Sequence, residues 1–129
     1  MKVITIKEPY ATLIKNNVKL IETRSWKTSY RGKLYIHASL IKNNKINDEI
    51  KTYYNEEDLK MGYIICKCNL VDCIYMSESF INNLKKDNYI EYLCGNYEIG
   101  RYAWILKDVK ILKYPIKVKG KLGIWNYDR

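Results

Sequence analysis

Apolar positions alternate along Lys2 to Lys7, with Ile4 and Ile6 on one face, and this period of two predicts an opening strand. The spacing then lengthens. Pro9 suits a first helical position, and Tyr10, Leu13 and Ile14 follow at i, i+3 and i+4. Asn16 and Asn17 can end such a helix in the left-handed conformation. Val18 to Thr23 reads as a second strand. Ser25 to Gly32 is polar and aromatic and closes in a turn, Tyr30-Arg31-Gly32, before a third strand over Lys33 to Ser39.

Residues 41–60 are polar and charged, with Asp48 placed to cap a short helix bearing Ile50, Tyr53 and Tyr54. Met61 to Met76 is a long run rich in Ile, Cys, Val and Tyr, which predicts a strand. Ser77 caps a helix carrying Phe80, Ile81 and Leu84. Residues 85–99 read as irregular, with a turn at Gly95-Asn96. Arg101 to Lys113 alternates as a long or bent strand that Pro115 interrupts, and Gly120 to Trp125 closes the chain. Several strands with short helices, no repeat and no linker predict one α+β domain over 1–129, built on a small barrel-like sheet.

A chain of 129 residues with 47% apolar content and 13 tyrosines can bury one ordinary core. No window approaches the roughly 20 apolar residues of a membrane span. Met1 to Glu8 lacks the pattern of a signal peptide, so the expectation is a cytoplasmic protein with no membrane partner. Cys66, Cys68, Cys73 and Cys94 lack C-x-x-C spacing, and His37 is the only histidine. Free buried thiols are therefore expected, with no metal, disulfide or cofactor. The net charge is +9, and lysine outnumbers arginine 19 to 4, a skew that AT-rich coding alone produces. The distribution says more. Residues 1–40 carry a net +6, residues 41–99 a net −3 and residues 100–129 a net +6. Two basic ends that meet in the fold would make a face for a polyanion.

Asn17 to Trp26 concentrates the candidate chemistry. On a strand Glu22 and Arg24 share a face, with Lys19 at the strand's start. A desolvated Lys19 would suit a base or nucleophile; a charged one would hold phosphate or pair with Glu22. Glu22 and Arg24 can bind a ligand's base edge and phosphate, or form an ion pair that stiffens the fold. Trp26, Tyr30, Tyr102 and Trp104 are candidates for stacking on a base, with Trp26 in a polar loop and Trp104 in an alternating, core-type strand. Trp125 reads as a lid. His37 and Ser39 lie on one strand, His37 with no triad spacing around it, and Ser39 placed to donate to a ligand. Arg31, Lys117, Lys119 and Lys121 form a possible phosphate-tracking fringe. Asp72, polar within an apolar run, is either a pocket acid or a bulge residue.

Lys19, Glu22 and Arg24 match Gly-x-Lys-x-x-Glu-x-Arg, and the chain resembles the ASCH domain (activating signal cointegrator homology) of the PUA-like superfamily. The resemblance continues through Ile4 to Ala11, Ser25-Trp26, Tyr30-Arg31-Gly32 and Ile36 to Ser39. It resumes at Gly100 to Trp104 and Lys119 to Trp125, covering roughly two thirds of the chain. Asn17 stands at the motif glycine; asparagine is the next most tolerant residue in the left-handed region, so the turn is expected to survive.

The resemblance implies a PUA-like β-barrel of mixed, mostly antiparallel strands flanked by short helices. It also implies a cleft for nucleic acid, RNA in preference to DNA, or for a modified or single-stranded nucleotide. That cleft would be lined by Lys19, Glu22, Arg24 and Trp26, with Arg31, His37, Ser39, Lys119 and Lys121 around it. Some compact relatives resemble amidohydrolases of N4-acetylcytidine that use the motif lysine. Lys19 and Glu22 would then be catalytic, but the threonine those enzymes place at this position is Glu22 here. The alternatives are thus a nucleic-acid-binding module, a small hydrolase of a modified nucleoside, and a regulatory protein-interaction domain.

Overall fold

The computed structural model describes residues 1–128. Strand β1 (Lys2–Glu8) leads into helix α1 (Tyr10–Lys15), followed by β2 (Ile21–Arg24) and β3 (Gly32–Lys42). Strand β4 (Tyr63–Tyr75) precedes helices α2 (Glu78–Asp87) and α3 (Tyr89–Leu93), and β5 (Tyr102–Lys117) and β6 (Ile124–Asn126) end the fold. The six strands form one sheet in the order β2-β5-β4-β3-β1-β6. β1 and β3 run parallel, and every other neighbouring pair is antiparallel. This is the expected mixed α+β architecture.

At β1 both faces of the sheet are covered, which explains why Val3 and Ile4 are adjacent and both buried. Ile4 and Ile6 face the main core, where Leu34, Ile36, Leu70 and Trp104 meet Ala11 and Ile14 of α1. Val3 faces the other way, onto Ile64 and Trp125. Helix α1 is consequently buried nearly all round, its Leu13 reaching a third cluster with Ile50 and Cys94.

The expected barrel is met only in curvature. β2 and β6 are the sheet's edges, and among the described residues no backbone ladder joins them. Spanning four and three residues, they leave few groups with which to pair. The sheet still curls enough for Arg24 Nη2 on β2 to donate to the Thr5 carbonyl on β1 at 3.1 Å.

Three local expectations change. Pro115 lies inside β5 without ending it, because the β4–β5 register jumps from Cys66–Ile111 to Ile64–Ile116. Its missing N–H falls in that gap. The helix expected after Asp48 shrinks to a 3-10 turn over Lys51–Tyr53, anchored by buried Ile50. Residues 89–93, expected to be irregular, form α3, whose first turn is capped by the Asn88 side chain accepting from the Glu91 amide at 3.2 Å.

The turn after α1 forms as expected. Asn17 has φ 61°, its amide bonds the Ile14 carbonyl, and the Val18 amide bonds the Leu13 carbonyl. This is the paired pattern of a Schellman end, and it aims the chain at Lys19. We predict that Asn17→Gly leaves stability unchanged or higher. Asn17→Val should cost about 1–2 kcal/mol, the strain of the left-handed region. Urea denaturation measures both.

Candidate functional site

The turn after α1, strand β2 and the segment after α3 enclose a cleft of about 710 Å³. Lys19, from the turn, is only 1% exposed. A charge removed from water needs acceptors, and this one has them. Lys19 Nζ donates to the Ile21 carbonyl at 2.6 Å and to the Cys94 carbonyl at 2.8 Å. It lies 3.7 Å from Glu22 Oε1 and 5.7 Å from the centre of the Tyr10 ring. Cys94 caps the C-terminal end of α3, where helix carbonyls lack internal partners and favour a cation.

Glu22 and Arg24 share a face of β2, as the period-two reading requires. Glu22 Oε2 accepts from Arg24 Nε at 3.0 Å and sits 2.9 Å from Nη2. The guanidinium is therefore committed to Glu22 and to Thr5. The second Glu22 oxygen, Oε1, has only the more distant Lys19 beside it, and Glu22 lines the cleft. Four cationic side chains, Lys7, Lys19, Arg24 and Arg101, line the space against this one carboxylate.

Trp26 forms an aromatic wall. Its ring meets the buried Trp104 edge-on at 4.7 Å, and the Trp104 indole N–H donates to the Trp26 carbonyl at 3.3 Å. Trp104 thus holds Trp26 in place while 40% of Trp26 stays exposed. The opposite wall is Gly95-Asn96. The Asn96 amide donates to Thr23 Oγ1 at 3.0 Å, and a Cβ on Gly95 would meet Thr23 and Tyr97 at 2.8 Å. Only glycine permits that approach.

The remaining candidates lie outside the cleft lining. Arg31 faces Asp72 at 3.8 Å, and Asp72 is an exposed residue at a register shift of β4. His37 is buried; its Nε2 lies 2.6 Å from the Val118 carbonyl, which only accepts, so Nε2 carries the proton. Ser39 Oγ accepts from the Ile41 amide. Lys119 and Lys121 flank Gly120, which packs against the Thr5 side chain and His37, and neither lysine lines the cleft. Lys121 also lies over the Trp125 ring, and Trp125 donates to Thr5 Oγ1 at 3.1 Å. Tyr30 and Tyr102 are half-buried against the main core.

The sequence reading missed Glu91. This carboxylate is 2% exposed; Oε1 accepts from the Leu20 amide at 2.6 Å, while Oε2 has no partner. Desolvation raises its pKa above the ordinary value despite the nearby Lys19 charge. Asn88-x-x-Glu91 is a capping-box spacing and was the available signal, although Glu91 turns toward β2 instead of back to Asn88. Burial also pushes the Cys94 thiol up to about 11, so it is a neutral thiol at neutral pH, not a nucleophile. Among the described residues no three His, Cys, Asp or Glu side chains converge as a metal site.

Lys19→Met should destabilise the fold by about 2–6 kcal/mol, because it leaves the buried Ile21 and Cys94 carbonyls without their donor and removes the positive charge beside Glu22 and Glu91. The Glu91 pKa is raised on folding, so its contribution to stability is present at low pH. It is lost as pH climbs from about 4.5 through the folded value. Glu91→Gln should remove this part of the decline, leaving the share of buried Glu8, whose pKa is also raised by desolvation. Denaturation across pH measures the difference.

A model of the ASCH domain matches residues 4–119. The chain is 25% identical to Activating signal cointegrator 1 of Homo sapiens and 24% identical to that of Mus musculus, each over 139 aligned positions. These alignments take in 97% of this chain and 22% of each relative, so the chain spans about a fifth of the length of the curated relatives it matches. With the match running from β1 past the end of β5 and across the Lys19–Glu22–Arg24 cleft, the chain belongs to the ASCH domain family.

Proposed function

We propose that the cleft binds a nucleotide of a nucleic acid, a single-stranded or modified one in RNA. The observation that carries this is the pairing of an open aromatic face, Trp26, with one under-used acceptor, Glu22 Oε1, in a cleft otherwise lined by cations. A base stacked on Trp26 can donate an N–H to Glu22 Oε1 while Arg101 and Lys7 meet its phosphates. Membership of the ASCH family is consistent with a nucleic-acid-related role.

Lys19 supports binding over the hydrolase alternative. An ammonium donating to two carbonyls at 2.6 and 2.8 Å, with Glu22 beside it, has two of its three protons committed and is held in the charged form, which offers no lone pair for attack. Its role in this reading is to hold the cleft in shape and keep its potential positive.

Trp26→Ala should weaken binding of a single-stranded oligoribonucleotide roughly 5- to 150-fold, the stacking contribution of one base, and Trp26→Phe should restore most of it. Fluorescence anisotropy at low salt measures both. Affinity unchanged in Trp26→Ala, or no affinity in the parent protein, overturns the proposal. Release of acetate from N4-acetylcytidine would move the reading to the hydrolase.

A further inference from the structure

We infer that the outer face of β3, β4 and β5 is a second surface, separate from the cleft, that contacts the phosphate backbone of a nucleic acid. Strand register assembles it. Lys33 of β3 and Lys107 of β5 stand on either side of Asn69 of β4, while Lys67 stands directly opposite Lys110. Lys33, Lys67 and Lys110 line a depression of about 290 Å³ together with Asn69 and Asp108. The inward residues of the same strands, Leu34, Cys68, Leu70 and Leu106, belong to the main core, so the lysines project away from it.

Two features oppose this arrangement on stability grounds, and both persist. Like charges directly opposite on neighbouring strands destabilise a sheet, and Lys67–Lys110 is such a pair. Lys107 and Lys110 are three apart and would normally point to opposite faces. An extra residue in β5 between them shifts the register, with Asp108 at φ 57°, and both lysines are exposed. Asp108 offsets only part of this charge, leaving the four lysines a net +3, and it pairs with none of them: its Oδ2 accepts from Asn69 Nδ2 at 3.1 Å. Among the described residues none of the four lysines is within salt-bridge distance of a carboxylate. A polyanion relieves the repulsion. The chemistry favours nucleic acid over an acidic protein, because lysine is depleted in protein–protein interfaces and no aromatic or arginine side chain lines this depression, Tyr35 beside Lys67 packing instead onto the cluster around Val3. Flexible point charges without planar acceptors suit phosphate and carry no base selectivity.

The test is oligoribonucleotide affinity as a function of salt for the parent, Lys67→Gln/Lys110→Gln, Lys45→Gln/Lys86→Gln and Trp26→Ala. The control pair lowers net charge equally at exposed positions elsewhere. Removing two phosphate contacts from a single strand should flatten the slope of log affinity against log salt by about 1.4, at roughly 0.7 per contact. The same variant should melt at a higher temperature, since the opposed charges are gone. The control pair should change neither quantity, and Trp26→Ala should lower affinity with the slope retained. An unchanged slope in the patch variant, an equal loss in the control pair, or tighter binding of polyglutamate than of RNA overturns this inference. If the patch variant matches the parent while Trp26→Ala weakens binding, the inference fails and the cleft reading stands.

Discussion

A lysine ammonium withdrawn from water has to find acceptors, and the way Lys19 finds them organises this molecule. Its bonds to Ile21 and Cys94 join the start of β2 to the end of α3, across 75 positions of sequence. Glu91 adds a second tie, from inside α3 to the Leu20 amide. Those links, together with the Asn96 amide's bond to Thr23 and the Arg101 guanidinium's bonds to Asn96 and Thr23, hold the Gly95-Asn96 segment as one wall of the cleft. The Asn17 turn belongs to the same device, because its left-handed backbone delivers Lys19 inward in place of continuing the helix.

The sheet supplies the other wall. Its curl brings Arg24 on one edge strand to Thr5 on β1, so the guanidinium fixes Glu22 and the sheet's curvature together. Trp104, buried in the main core, then sets the orientation of Trp26. Cleft and core are therefore one construction: the groups that face the open space are positioned by groups that never meet solvent. This explains how a solvent-facing aromatic and a lone carboxylate oxygen can be held in a defined relation.

Much of this was legible in the sequence, and what was not has a physical reason. The period-two spacing put Glu22 and Arg24 on one face, and the pair is hydrogen bonded. Asn17 was readable as a left-handed residue because few side chains tolerate that backbone. Glu91 was hidden because a carboxylate in a stretch that reads as irregular looks like surface, and its burial depends on α3 docking beside the start of β2, a contact without local signature. His37 and Ser39 sat on the right strand, but β1–β3 register turns His37 toward Thr5 and the C-terminal segment and away from the cleft. The charge profile foresaw basic termini, and Arg101 does join Lys7 and Arg24 at the cleft. Lys33, Lys107 and Lys110 of the outer face also belong to those basic ends, but their grouping with Lys67 comes from strand order and a bulge, which a charge profile does not contain.

The central claim is that the recess shaped by Lys19 is where a nucleotide sits, and NMR titration of the folded protein with a single-stranded oligoribonucleotide tests it most directly. The three tryptophans give three indole N–H signals, each assignable by substitution. The account predicts that the Trp26 indole and the backbone amides of residues 23–26 and 94–96 shift together and saturate, while the Trp125 indole moves little. Saturating RNA that leaves the Trp26 indole and those amides in place would contradict it.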